Sequence, residues 1–300
     1  MNVDLLRTNA GRNDVAVLAY EARRARGVTL VVGHGYSSSK HNLDSLCAFL
    51  ASHGFAVYSL DFPGHKLGAS GGTLERVEDL IDAFAAVVAL ARRRGAGPIY
   101  AVGHSMGAIT ALCAAARDRA IAGAVSIATG WGRPQELQAL AGRGVVDLRS
   151  SYVDGLSLPE IASAWGPILD EALPRLAGRP TLVIAAERDG ITDCFEDGDV
   201  FRFAYFLREQ AGVELMDVDG DHVHPRGRVG TLPPVTVQQL VDDPVRMGRW
   251  KAPEADETGD PGASRRRLCK SFGCDARQRR HTGHAGHAKH LAPGEERVRL

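Results

Sequence analysis

Ile99-Tyr100-Ala101-Val102, then Gly103-His104-Ser105-Met106-Gly107, then Ala108-Ile109-Thr110-Ala111-Leu112 read in turn as a strand, a sharp turn and a helix. The middle block matches the pattern G-x-S-x-G. A serine at the tip of such a strand-to-helix turn is lifted above the sheet, and small residues two positions away on either side prevent clashes. The pattern alone is weak, because Gly68-Ala69-Ser70-Gly71-Gly72 also fits it. Ser70 follows a loop of Pro, Gly and His, whereas Ser105 has a strand before it and a helix after it. Ser105 is therefore the candidate nucleophile, and Ser70 reads as a turn serine.

The same rhythm extends on both sides. Val15–Glu21 reads as an early strand. Val28–Val32 is an apolar run ending at Gly33-His34-Gly35, as expected for a strand buried on both faces. Leu43, Leu46, Cys47 and Leu50 recur at helical spacing, and Phe55–Leu60 is the next strand. Leu74–Arg94 is the clearest amphipathic helix, with Thr73 as its expected cap and Arg92–Arg94 in its last turn. Ala124–Ala128, Leu182–Ala186 and Val213–Val218 read as further strands, with a helix across Val200–Gln210. Alternating strands and helices imply an α/β fold, a parallel sheet with helices on both faces. Residues 131–179 interrupt the alternation. Their apolar content suits two or three short helices forming a small cap.

A serine hydroxyl needs a base that is itself oriented. Histidines before or next to Ser105 do not fit the chain order Ser…Asp…His that this elbow uses. Setting aside the histidines of the tail leaves His222 and His224, just past the last strand; His222 is preferred, with His224 as the alternative. The orienting acid belongs at the end of a strand between Ser105 and His222. Asp189 occupies that place in Glu187-Arg188-Asp189-Gly190, with Asp193 as the alternative. Acyl transfer also needs two N–H donors for the developing oxyanion. The residue after the nucleophile, Met106, supplies one, and Tyr36 in the Gly33-His34-Gly35-Tyr36 loop supplies the other. None of this chemistry calls for a cofactor or a metal.

Taken in order, His34-Gly35-Tyr36, Asp61-Phe62-Pro63-Gly64-His65, Gly103-His104-Ser105-Met106-Gly107, Asp189 and His222 resemble the α/β-hydrolase family across about residues 15–225. The resemblance implies an eight-stranded, mostly parallel sheet with a cap inserted after the sixth strand. Its motifs look like those of cytosolic esterases and lipases. Related dehalogenases and epoxide hydrolases carry Asp where this chain has Ser105. The loop Gly64-His65-Lys66-Leu67-Gly68-Ala69-Ser70 is two residues longer than the family's usual Gly-His-Gly-x-Ser, and Ala108 stands where a second Gly is common.

The chain has 300 residues, 44% of them apolar, enough for one large core. No apolar run approaches the ~18–20 residues that span a bilayer, and the first residues do not read as a signal peptide. Five scattered cysteines are not a disulfide framework, which suits a reducing cytoplasm. The formal net charge of zero hides a division, since residues 261–300 carry +7 and the rest −7. The expected organisation is a catalytic domain over 1–250 and a basic His/Arg-rich tail over 251–300, too poor in apolar residues to fold. Cys269, Cys274 and the histidines at 281, 284, 287 and 290 depart from the usual zinc-finger spacing.

The expected activity is hydrolysis of a small-molecule carboxylic ester, with no nucleic-acid partner. Thioesters and lactones would suit the same groups. A coenzyme A thioesterase would need a basic cluster near the motifs, and the sequence shows none. Non-catalytic ligand binding is the reading from another class. Trp131, Tyr152 and Trp165 are candidates to line an acyl pocket or to pack the core.

Overall fold

The computed structural model describes residues 1–129, 143–188 and 214–221, with 185–188 and 214–221 in backbone only. The chain divides into Met1–Lys251 and Ala252–Leu300. The second part, with the basic tail, lies outside the described residues, as does the helix expected over Val200–Gln210.

Eight strands form one sheet: β1 Asn2–Ala10, β2 Asn13–Glu21, β3 Thr29–Gly33, β4 Ala56–Leu60, β5 Ile99–His104, β6 Ile121–Ile127, β7 Thr181–Arg188 and β8 Glu214–Asp221. Their order across the sheet is β1-β2-β4-β3-β5-β6-β7-β8. β2 pairs antiparallel with both β1 and β4, and every other pairing is parallel. The helices are α1 Asp44–Ser52, α2 Glu78–Arg93, α3 Met106–Arg117, α4 Arg143–Ser151 and α5 Leu158–Ala172. The alternation of side chains along each strand builds two cores. Val31 faces α2, α3 and α5 on one side, while its neighbours Leu30 and Val32 face α1 on the other.

Two expectations are corrected, and one strand is new. The helix expected from Leu74 begins at Glu78, and no side chain caps it. Leu74 is drawn instead into backbone bonds with the insert: its N–H donates to Asp154 O at 2.9 Å, and its carbonyl accepts from Leu156 N–H at 2.8 Å. Asp79 takes up the orphan donors of this turn, accepting from Glu75 and Arg76 N–H at 2.9 Å each. β8 runs to Asp221, so Gly220 lies in the strand rather than in a turn before His222. β1 had no counterpart in the sequence reading. It is an edge strand, mostly exposed.

α4 and α5 form the described part of the insert. Segment 152–156 between them is stitched to the loop after β4. Lys66 N–H donates to Tyr152 O, and Asp154 N–H donates to Gly64 O. Gly64 has φ +76, and a Cβ there would lie 2.5 Å from Asp154 O. Trp165 belongs to the core at 1% exposure, and Tyr152 is 40% exposed.

Candidate active site

Ser105 sits between β5 and α3 with φ 55 and ψ −121. A non-glycine residue adopts this conformation only where the surroundings hold it there. They do so on several sides. Ser105 N–H donates to Ile127 O of the adjacent β6 at 2.9 Å, and Ala108 N–H donates to Ser105 O at 2.9 Å. Gly103 and Gly107, two residues away on either side, are demanded by backbone rather than by side chains. A Cβ on Gly103 would lie 2.0 Å from Gly107 O, and one on Gly107 would lie 2.3 Å from Gly33 O and 2.5 Å from His34 O. α3 therefore packs directly on the end of β3, where Gly33 is also the in-register partner of Gly103.

That contact sets the loop after β3 beside Ser105. A Cβ on Gly35 would stand 3.2 Å from Ser105 Cβ. His34 locks the loop from below. It is fully buried, its Nδ1 bonds Gly35 O at 2.8 Å, and its Nε2 accepts from Phe62 N–H at 3.0 Å. This pairing requires the neutral ring with its proton on Nδ1. Burial, reinforced by neighbouring His65, drives the His34 pKa down to about 3. His65, likewise buried, is pushed to about 4. Tyr36 follows in the loop. Its hydroxyl donates to Leu156 O at 2.9 Å, tying the loop to the insert.

Below the loop, Lys40 and Asp61 form an ion pair at 1% and 0% exposure, Nζ to Oδ2 2.5 Å. Asp61 also accepts from Lys40 N–H and from Ala69 N–H, each at 2.7 Å. Burial alone would raise the Asp61 pKa. The Lys40 ammonium and the two backbone donors outweigh it and hold the carboxyl below the ordinary range. Ser70 completes the anchoring of this loop. Its hydroxyl donates to Asp61 O at 2.7 Å and accepts from Ala16 N–H at 2.8 Å.

Ser105 opens onto a cavity of about 180 Å³ lined by Gly35, Tyr36, Ser37, Ser38, Asn42, Leu43, Ser45, Leu46, His104, Ile127 and Arg149. It lies at the carboxyl ends of the parallel strands, where open α/β sheets bind ligands. The described non-glycine residues with positive φ are Ser37, Ser105 and Ala128, all at this edge. Of the residues singled out in the sequence, Ser105 and Tyr36 share the cavity. Met106 opens α3, and the first N–H of a helix has no acceptor within the helix. β7 and β8 are parallel neighbours with Arg188 and Asp221 paired at their ends. Asp189 and His222 follow them in the chain and lie outside the described residues, as do Asp193, His224 and Trp131. The sequence reading missed Arg149. It arrives from α4, distant in sequence from every motif, and only the fold of the insert brings it to the cavity.

Residues 24–189 match the family model described as serine aminopeptidase, S33. The chain belongs to this family of α/β hydrolases. No curated protein sequence matches it. Among solved structures it is similar to Est1E from Butyrivibrio proteoclasticus, at 14% identity over 81% of this chain and 99% of that one, TM-score 0.58. It is similar to the esterase Pf2001 from Pyrococcus furiosus, at 19% identity over 80% and 92%, TM-score 0.59. It is also similar to a membrane phospholipase A described as a bacterial virulence factor, at 19% identity over 81% and 86%, TM-score 0.57. At such identities these likenesses establish the fold. Among the described residues, no helix of this hydrolase is long and apolar enough to cross a membrane.

Proposed function

We propose that this hydrolase cleaves carboxylic esters of short acyl chains through an acyl-serine intermediate. The observation that carries the reading is Ser105, held at φ 55 on the turn between β5 and α3, among the residues that line a cavity at the carboxyl ends of the parallel strands. Ser105 Oγ bonds to the acyl carbon as its proton passes to His222. The N–H groups of Met106 and Tyr36 hold the oxyanion. The bond to the alcohol oxygen then breaks, and the alcohol leaves with the proton from His222. Water, deprotonated by His222, adds to the acyl carbon, and the acid departs as Ser105 regains a proton. Asp189 keeps the imidazole in the required tautomer.

The cavity size favours short acyl groups, since ~150 Å³ is enough for a benzene ring. The two described cysteines, Cys47 and Cys113, are buried free thiols, as suits a reducing cytoplasm.

The test is hydrolysis of a 4-nitrophenyl ester series from acetate to palmitate by the wild type and Ser105→Ala. Turnover with a short-chain optimum is expected, with a loss of at least ~10³-fold in the variant. Equal turnover by both proteins would remove Ser105 from the mechanism.

A further inference from the structure

The cavity at Ser105 holds one cationic side chain among the described residues, that of Arg149. Arg149 sits near the end of α4 and is half-buried. The described residues offer it no carboxylate: none lines the cavity, and no ion pair joins Arg149 to an acid. The polar residues Ser37, Ser38, Asn42 and Ser45 that also line the cavity are neutral, and the side chain shown to interact electrostatically with Arg149 is the Tyr36 phenol. Asn42 is already engaged, donating to Ser38 Oγ at 2.8 Å. The other nearby cation behaves oppositely, because Lys40 is matched by Asp61 inside the loop.

A guanidinium half withdrawn from water with no anion among the described residues is a ready partner for an anionic ligand, and burial lowers the Arg149 pKa. Guanidinium groups recognise carboxylates through two parallel hydrogen bonds. The cavity is small, so a group at Arg149 and a carbonyl at Ser105 belong to one short molecule. Resting on the ester-hydrolase reading above, we infer that the preferred substrates carry a carboxylate on the acyl group, as monoesters of short dicarboxylic acids do, and that Arg149 binds that carboxylate.

The experiment compares three ethyl esters of equal acyl length by proton release: monoethyl glutarate, its neutral amide analogue ethyl 4-carbamoylbutanoate, and ethyl pentanoate. The wild type is expected to favour monoethyl glutarate over both neutral esters by about 10- to 100-fold in kcat/KM, the range of a charged hydrogen-bonded contact. In Arg149→Met that ratio falls towards one, and Arg149→Lys, which keeps charge but loses the planar fork, lies between. Melting curves for each variant establish that it is folded.

If the wild type hydrolyses the neutral esters as well as the anionic one, the role of Arg149 is overturned and the ester-hydrolase reading stands. If none of the three is hydrolysed, the ester-hydrolase reading falls, and Arg149 is judged by binding alone. Glutarate should then raise the Tm of the wild type and leave Arg149→Met unmoved. No shift in the wild type overturns the carboxylate site.

Discussion

Replacing Lys40 by Met tests how the floor of the site is held. Asp61 is fully buried, and three donors converge on its carboxylate: Lys40 Nζ, Lys40 N–H and Ala69 N–H. The substitution keeps the two backbone donors and most of the side-chain volume, and removes only the ammonium. A buried carboxylate is then left with two backbone donors and without its counter-charge, and breaking a buried pair in this way typically costs ~3–5 kcal/mol. For a domain of this size each kcal/mol shifts Tm by about 2–4 °C, so a fall of about 6–20 °C is expected. Asp61→Asn in the Lys40→Met background should recover part of this loss by removing the charge, though its amide cannot accept from both backbone donors on one oxygen. The assays are thermal melting and urea unfolding, with the urea slope m checked for constancy. A loss below ~1 kcal/mol for Lys40→Met would refute the reasoning, because the ammonium would then be contributing no more than a surface charge.

Gly107→Ala sets helix propensity against sterics. Propensity favours Ala by about 1 kcal/mol, but the new Cβ would lie 2.3 Å from Gly33 O and must open that contact to beyond 3.0 Å. Net destabilisation and about a 10²-fold fall in kcat are expected from the displaced loop, whereas Gly144→Ala, into open space, should leave both nearly unchanged. Ser105→Gly should abolish ester hydrolysis while raising stability by up to ~1–2 kcal/mol through relief of φ 55; Ser70→Ala should lower stability by ~1–3 kcal/mol and keep kcat, the two together separating the serines by melting and rate. Acid unfolding should begin early. His34 and His65 have pKa values depressed to about 3 and 4, so the unfolded chain binds nearly two more protons as pH falls from ~6.5 towards 4. Their contribution is complete above ~6.5 and is lost at up to about 2.7 kcal/mol per pH unit within that window; urea unfolding that is flat from pH 6.5 to 5 would contradict it. Protonation would also place an N–H on His65 Nε2, which has no partner among the described residues.

What could be read in the sequence was local and contiguous. The elbow at Ser105 is a strand, a turn and a helix in unbroken succession, so its geometry is written where it occurs. The parallel strands were legible because burial on both faces makes them continuous apolar runs. β1 was not legible, because an exposed edge strand such as Asn2–Ala10 has little apolar pattern to show. Thr73 failed as a cap for another reason: the backbone bonds of Leu74 to segment 154–156 override local preference. The partnership of Lys40 with Asp61 and the arrival of Arg149 at the cavity depend on tertiary closure. No short-range pattern encodes either.

The contact of Gly33, Gly103 and Gly107 has an evolutionary consequence. The Cβ position of Gly103 is filled by the backbone of Gly107, and that of Gly107 by the backbone of Gly33. Where side chains collide, a second mutation can shrink one of them. At Gly103 and Gly107 the nearest obstacles are all main chain, so no compensating substitution exists, whereas at Gly33 they are the side chains of Phe62 and Phe84. A library randomising the three codons together should return glycine at each of positions 103 and 107, in every genetic background. These two positions are closed to drift by neighbours that cannot themselves be mutated away, and the elbow can change only by being discarded whole.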